Sequence, residues 1–128
     1  MAKKTYTIPF QNGTTHVVTM SAVVGDEVFG VHRSIDRKKG WTLTHLPTGL
    51  KLAYLDLKRT AVGCAENLLQ EVPDVDWSLA DGDEMVGRYG RYLNGAAYIV
   101  KCWEDGRATE PITAKQAKTW AENRNPLG

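Results

Sequence analysis

Little in this chain announces covalent chemistry. Cysteine is scarce, with only Cys64 and Cys102 in 128 residues. They form no CxxC pair, so neither a disulfide framework nor a thiolate zinc site follows. Both read as buried, reduced thiols, because an unpaired cysteine behaves as a small hydrophobe; one bridge between them is the alternative. Long apolar runs are also missing. None reaches the ~18 residues of a membrane span, and Met1 to Thr5 leads directly into strand-like sequence rather than a secretory h-region. A cytoplasmic setting is the expectation.

Catalytic signatures are equally sparse. Ser21, Ser34 and Ser78 lie in no nucleophile-elbow context, and neither cysteine does. The glycines near Gly87 lack both the spacing of a phosphate loop and a following Lys-Ser/Thr. His16, His32 and His45 share no helical i, i+4 spacing. The sequence therefore predicts no enzyme, no cofactor and no metal.

What is present is an ordinary globular composition, 42% apolar and 24% charged, which argues against disorder of the whole chain. The length suits one domain over residues 1–128, with residues 123–128 as a frayed tail. A net charge of +1 conceals an uneven distribution. Between Val31 and Arg59, seven basic residues face only Asp36 and Asp56, a local balance of +5. Between Glu66 and Glu110, ten acids face four bases, a balance of −6. Such asymmetry suits a nucleic-acid face, an acidic partner face, or simple solvation.

Hydrophobic periodicity supplies the architecture. Asn12-Gly13 separates two β-rich runs and predicts a hairpin, because the tight turn needs positive φ at both central positions. Pro9 has no N–H for a ladder, which places the first strand at an edge. Further strands are expected over 28–35, 41–46 and 50–55, the last two joined by Pro47-Thr48-Gly49. Leu57, Ala61, Cys64, Ala65, Leu68 and Leu69 recur at helical spacing, with Asp56 as the expected N-cap and Pro73 as the stop. Gly63 is expected to allow close packing on the sheet. Residues 79–93 read as helix or strand, since Gly82, Gly87, Gly90 and a second Asn-Gly at Asn94 weaken the helical pattern. A strand is expected over 97–104. Thr113 and Gln116 form a capping box for a short last helix. Ser78 with Asp81 resembles another. The sum is an α+β fold: a mainly antiparallel sheet of five to six strands with one long helix and a short C-terminal helix on one face.

Suppose Ile35 pairs with Trp41. Alternation then puts Val31, Ile35, Trp41, Leu43, Ala53 and Leu55 under the helix, and His32, Ser34, Thr42, Thr44 and Tyr54 on the opposite face. His32 and His45 fall on opposite faces and cannot share a metal. Arg37, Lys38 and Lys39 would rim the polar face. The stretch from Phe29 to Leu69 resembles, in layout, small DNA-binding modules of the integrase-arm type. In those a three-stranded sheet enters the major groove and a helix braces its back. This chain has fewer arginines than such readers and extra strands before the sheet. The resemblance implies a polar sheet face against nucleic acid, with lysines and arginines supplying sequence-independent attraction. Arg88, Tyr89, Arg91 and Tyr92 also interleave bases with aromatics, a pattern of single-strand binders.

The leading expectation is a non-catalytic binding module for nucleic acid or a nucleoprotein complex, acting through Arg37, Lys38, Lys39, His32, Ser34, Thr42, Thr44 and Tyr54. The alternative is a protein–protein inhibitor or adaptor of the phage or plasmid accessory kind, in the style of anti-restriction or anti-CRISPR factors. There Asp74, Asp76, Asp81, Asp83 and Glu84 would mimic phosphates on a host protein. No membrane partner is expected, and the oligomeric state is open.

Overall fold

A computed structural model describes residues 5–9, 14–35, 39–106, 110–117 and 119. Among these residues six strands precede two helices: β1 (Thr5–Pro9), β2 (Thr15–Thr19), β3 (Ala22–Val24), β4 (Phe29–Arg33), β5 (Trp41–His45), β6 (Leu50–Leu55), α1 (Lys58–Glu71) and α2 (Gly82–Glu104). The α+β expectation holds, with the strands divided between two antiparallel sheets. β1 and β2 pair alone, and β3-β4-β5-β6 form a four-stranded meander. The hairpin register runs from Thr5 opposite Thr19 to Pro9 opposite Thr15. Its Asn12-Gly13 turn lies outside the described residues.

The sequence places one strand after that turn, but the chain breaks between Thr19 and Ala22 to change sheets. Met20 at this break is buried with Ile8 and Val18 in a small core of the hairpin's own. It also caps the four-stranded sheet: a Cβ added at Gly30 would meet the Met20 sulfur at 2.6 Å and Leu46 at 2.9 Å. Gly30 is what lets the hairpin approach this side. Tyr6 ties the hairpin to the β3–β4 turn by donating to Glu27 at 2.9 Å.

The opposite side of the meander carries the main core. Phe29, Val31, Leu43, Ala53 and Leu55 are buried there against Ala61, Cys64, Ala65 and Leu68 of α1. These are the α1 positions whose spacing foretold the helix. α2 packs beside α1 and along β6 through Ala96, Ile99 and Cys102. Gly63 faces α2 instead of the sheet, since a Cβ there would meet the Trp103 ring at 3.0 Å.

α2 corrects the expected strand over 97–104 and settles residues 82–93 as helix. Asn94-Gly95 sits within it, and Gly95 is buried where a Cβ would meet Ala117 at 3.3 Å. A turn dipeptide yields here because the helix gains tertiary packing that local preference does not encode. The pattern does leave a trace, a non-helical Tyr89 (φ −125°, ψ 18°) that kinks the helix. The last helical turn, from Ala114, has the expected capping box. Thr113 N donates to Gln116 at 2.9 Å and Gln116 N to the Thr113 hydroxyl at 3.1 Å.

One buried amide joins three segments. Asn67, 1% exposed, accepts from Trp103 Nε1 at 2.9 Å and Ile112 N at 2.7 Å, and donates to Ile112 O at 2.8 Å. Nothing in its sequence surroundings marks it, because its partners lie 36 and 45 positions away.

Candidate functional site

The register of β4 and β5 decides what the sheet can present. Arg33 pairs with Trp41, Val31 with Leu43 and Phe29 with His45. This is two residues from the expected pairing of Ile35 with Trp41. The longer connection explains the slip: Ser34 N donates to Gly40 O at 3.2 Å and closes the loop earlier. An even slip preserves the side-chain period of two, so the two faces were grouped correctly. Ile35 falls beyond β4 and is 42% exposed rather than under the helix.

Burial corrects the polar face. His32, Thr42 and Thr44 are at most 2% exposed, and Ser34 and Tyr54 are half-buried. These groups satisfy one another: His32 Nε2 meets the Thr44 hydroxyl at 2.9 Å, His32 Nδ1 donates to Arg33 O at 2.8 Å, and the Ser34 and Thr42 hydroxyls meet at 2.8 Å. A polar network of this kind is stable in the interior because its members are paired. His32, Thr42 and Thr44 therefore present little surface, while Ser34 and Tyr54 stay partly accessible. Arg37 and Lys38 lie outside the described residues; Lys39 is exposed.

Several exposed cations gather instead at one end of the sheet, while Lys51 lies apart against Tyr54. Arg33 ends β4, Trp41 begins β5, Leu55 pairs with Trp41 and ends β6, and α1 starts three residues later. The Arg33 guanidinium lies 4.5 Å from the centroid of the half-buried Trp41 ring. Lys58 Nζ lies 6.0 Å from the same ring. Both distances suit cation–π attraction. Among the described residues, Lys39 and Arg59 are exposed on the segments that flank this cluster, as is the acid Asp56.

The start of α1 adds a second element. Asp56 does not cap it. The chain is still extended at Leu57 (φ −122°, ψ 141°), which becomes the N-cap and makes no side-chain bond. The first turn holds no acid and begins with Lys58 and Arg59. The first amides of a helix lack intrahelical partners and carry partial positive charge. Placing two cations there is locally unfavourable, and an anion relieves it.

A cleft of about 430 Å³ opens where β2 diverges from β4, with His16, Thr19, Ser21, His32, Arg33 and Ile35 among its lining residues. Arg33 thus borders both the cleft and the indole.

Other titratable groups are built into the fold. His45 is buried with Phe29 and Trp77, ring centroids 5.9 and 6.0 Å away. Its Nε2 donates to Trp77 O, and Thr48 meets Nδ1 at 2.7 Å. Burial lowers its pKa from the ordinary 6.5, outweighing the bond to Trp77. The folded chain therefore takes up this proton less readily than the unfolded one, and stability falls as pH drops below 6.5. Burial, aided by Glu104, pushes the Cys64 thiol up to about 12, which leaves it without thiolate reactivity. Among the described residues no three His, Cys, Asp or Glu side chains converge as metal ligands, and no helix is long and apolar enough to cross a membrane.

The acidic positions Asp74, Asp76, Asp81, Asp83 and Glu84 are all exposed. Three of them serve local structure. Asp76 accepts from the Ser78 hydroxyl and amide, which holds its carboxyl below the usual range. Asp81, instead of closing a box with Ser78, caps α2 by accepting from Asp83 N at 2.9 Å and Glu84 N at 3.1 Å. Glu84 pairs with Arg88 at 3.2 Å.

Comparison with protein-family models, curated proteins and solved structures finds no match.

Proposed function

We propose that this protein is a non-catalytic binding module that contacts nucleic acid, free or within a nucleoprotein, through the basic end of its four-stranded sheet. The observation that carries this reading is the Trp41 indole with Arg33 at 4.5 Å and Lys58 at 6.0 Å. Arg33 and Lys58 lie over the Trp41 ring, so a base stacks on the Arg33 guanidinium plane that the indole holds in place, and Lys58 takes a neighbouring phosphate. The uncapped start of α1 supplies backbone N–H groups for one of those phosphates. The seat differs from the sheet face the sequence suggested. It uses the strand ends and the helix start, with Lys39 retained and His32, Ser34, Thr42 and Thr44 acting as the scaffold beneath.

The test is fluorescence anisotropy with labelled single-stranded and duplex oligonucleotides over a salt series. Binding weakens steeply as salt rises, because each phosphate neutralised releases counterions. Arg33→Glu with Lys58→Glu reduces affinity at least about tenfold at low salt. Trp41→Ala costs single-stranded binding about 1–3 kcal/mol, the range for one stacked base. Binding that is absent or indifferent to salt, or that survives the Arg33/Lys58 change intact, overturns the proposal. The acidic-surface alternative has weaker support, since Asp76, Asp81 and Glu84 are already engaged within the chain.

A further inference from the structure

Most strand edges of this protein are guarded. At β6 the outer edge meets α2, where Tyr54 N donates to the Glu104 carboxylate at 3.0 Å. β1 ends in Pro9, which has no N–H to offer. β3 is only three residues long. Covering helices, prolines and short strands are the usual protections of a sheet edge. β2 has none of them. It pairs with β1 on one side alone, and its sequence, Thr-His-Val-Val-Thr, holds no proline, lysine or acid.

The cleft between β2 and β4 lies against that edge. Its lining includes four consecutive residues of β2, His16 to Thr19, together with His32 and Arg33 of β4 and no described residue of β1. A strand face contributes alternate residues, so consecutive ones mark an edge. β4 presents an edge here too. Leu46 N donates to Val28 O and Ser34 N to Gly40 O. The even-numbered residues therefore turn their backbone groups toward β5 and the odd-numbered ones away from it. Val31 O accordingly accepts from Ser21 N at 2.8 Å, and the β3 pairing ends at Val31. Arg33 is the next residue on that side. Its carbonyl accepts from His32 Nδ1 at 2.8 Å. Its N–H points toward the cleft, where no strand of the described residues pairs with it.

The gap has the form of a missing strand, and the residues around it define which strand. Arg33 and His16 line it, and among the described residues no acid does. Val17 is 74% exposed and Ile35 42%, so apolar side chains flank the positive charge. An added peptide strand gains affinity from its main chain and is selected through its alternate side chains. Here that selection favours a carboxylate set among β-branched residues. A nucleic-acid strand matches the charge but has no repeating N–H and C=O ladder for the two edges.

We infer that the cleft between β2 and β4 is a docking site for an extended acidic peptide of a partner protein, which adds a strand along β2 and accepts from the Arg33 N–H on its other side. The inference stands without the nucleic-acid reading: that reading uses the guanidinium over Trp41, and this one the edges and local charge beside it.

Fluorescein-labelled Thr-Val-Glu-Val-Thr amide, titrated with the full chain and followed by anisotropy, tests it. The peptide binds saturably below about 1 mM. Methylating its three central amide nitrogens removes ladder donors and lowers affinity at least about tenfold. Replacing its glutamate by lysine has a similar effect through charge. Arg33→Glu, at an exposed position, keeps the far-ultraviolet circular dichroism of the wild type, loses the glutamate peptide and gains the lysine one. Amide hydrogen exchange locates the site, since the glutamate peptide protects the Arg33 N–H. No saturable binding below that concentration, equal affinity for the methylated peptide, or indifference to both charge reversals overturns the inference. So does protection of the Arg33 N–H by a single-stranded oligonucleotide and not by the peptide, which assigns the cleft to nucleic acid.

Discussion

The two helices of this protein begin in opposite ways. α2 starts on Asp81, whose carboxylate accepts from two first-turn amides, and continues with Asp83 and Glu84. That start satisfies its own donors and matches the positive end of the helix with negative charge. α1 starts on Leu57 with no side-chain bond, and Lys58 and Arg59 follow at once. The contrast shows that capping is available to this sequence and is withheld at one place. That place adjoins the Trp41 cluster, where Arg33 and Lys58 lie over the indole. A start that is poor for the isolated helix is the start best prepared to receive an anion.

Three substitutions test whether the contrast has this meaning. The largest effect is expected at α2: Asp81→Ala removes two hydrogen bonds and lowers stability by about 1 kcal/mol, within the usual 0.5–2 range. Its urea midpoint should fall while oligonucleotide binding stays unchanged. The second installs at α1 what α2 already has. Leu57→Asp raises stability by roughly 0.5–1 kcal/mol and weakens oligonucleotide binding, since the carboxylate occupies the amides a phosphate would use. Stability and affinity moving in opposite directions is the result to look for; if both rise, the helix start plays no part in binding. The smallest is Lys58→Glu, which relieves the charge misfit by a few tenths of a kcal/mol and flattens the salt dependence of binding by roughly one phosphate contact.

Much of the fold was legible because its signals are local and periodic. The hairpin, the meander, the α1 stripe and the Thr113–Gln116 box each depend on neighbours a few positions apart. The faces of β4 and β5 survived a two-residue error in register because alternation tolerates even slips. Alternation could not reveal whether the polar face is wet. That depends on Met20 folding back over Gly30, a contact between a strand break and a glycine with no local signature. The α2 error has the same origin. Three glycines and an Asn-Gly pair argue locally against a helix, while the pairing of Gly95 with Ala117 and the burial of Ala96 and Ile99 overrule them. Of the candidate site, the basic character and Lys39 were readable. The roles of Arg33, Trp41 and Lys58 were not, because strand ends and a helix start meet only after the register is fixed. Asp56 looked like the ideal cap and misses by one residue. That single-residue displacement turns an ordinary helix start into a candidate seat for a phosphate.

The Asn67 amide sets a schedule for biosynthesis. Two of its three bonds are to Ile112, so a ribosome must polymerise 45 further residues before this donor and acceptor can be shielded from water. The strands and α1 can collapse as they emerge, while Asn67 gains its Trp103 bond first and its two Ile112 bonds only when that later segment docks. Docking of the Ile112 segment, rather than formation of the sheet, then closes the interior at this edge.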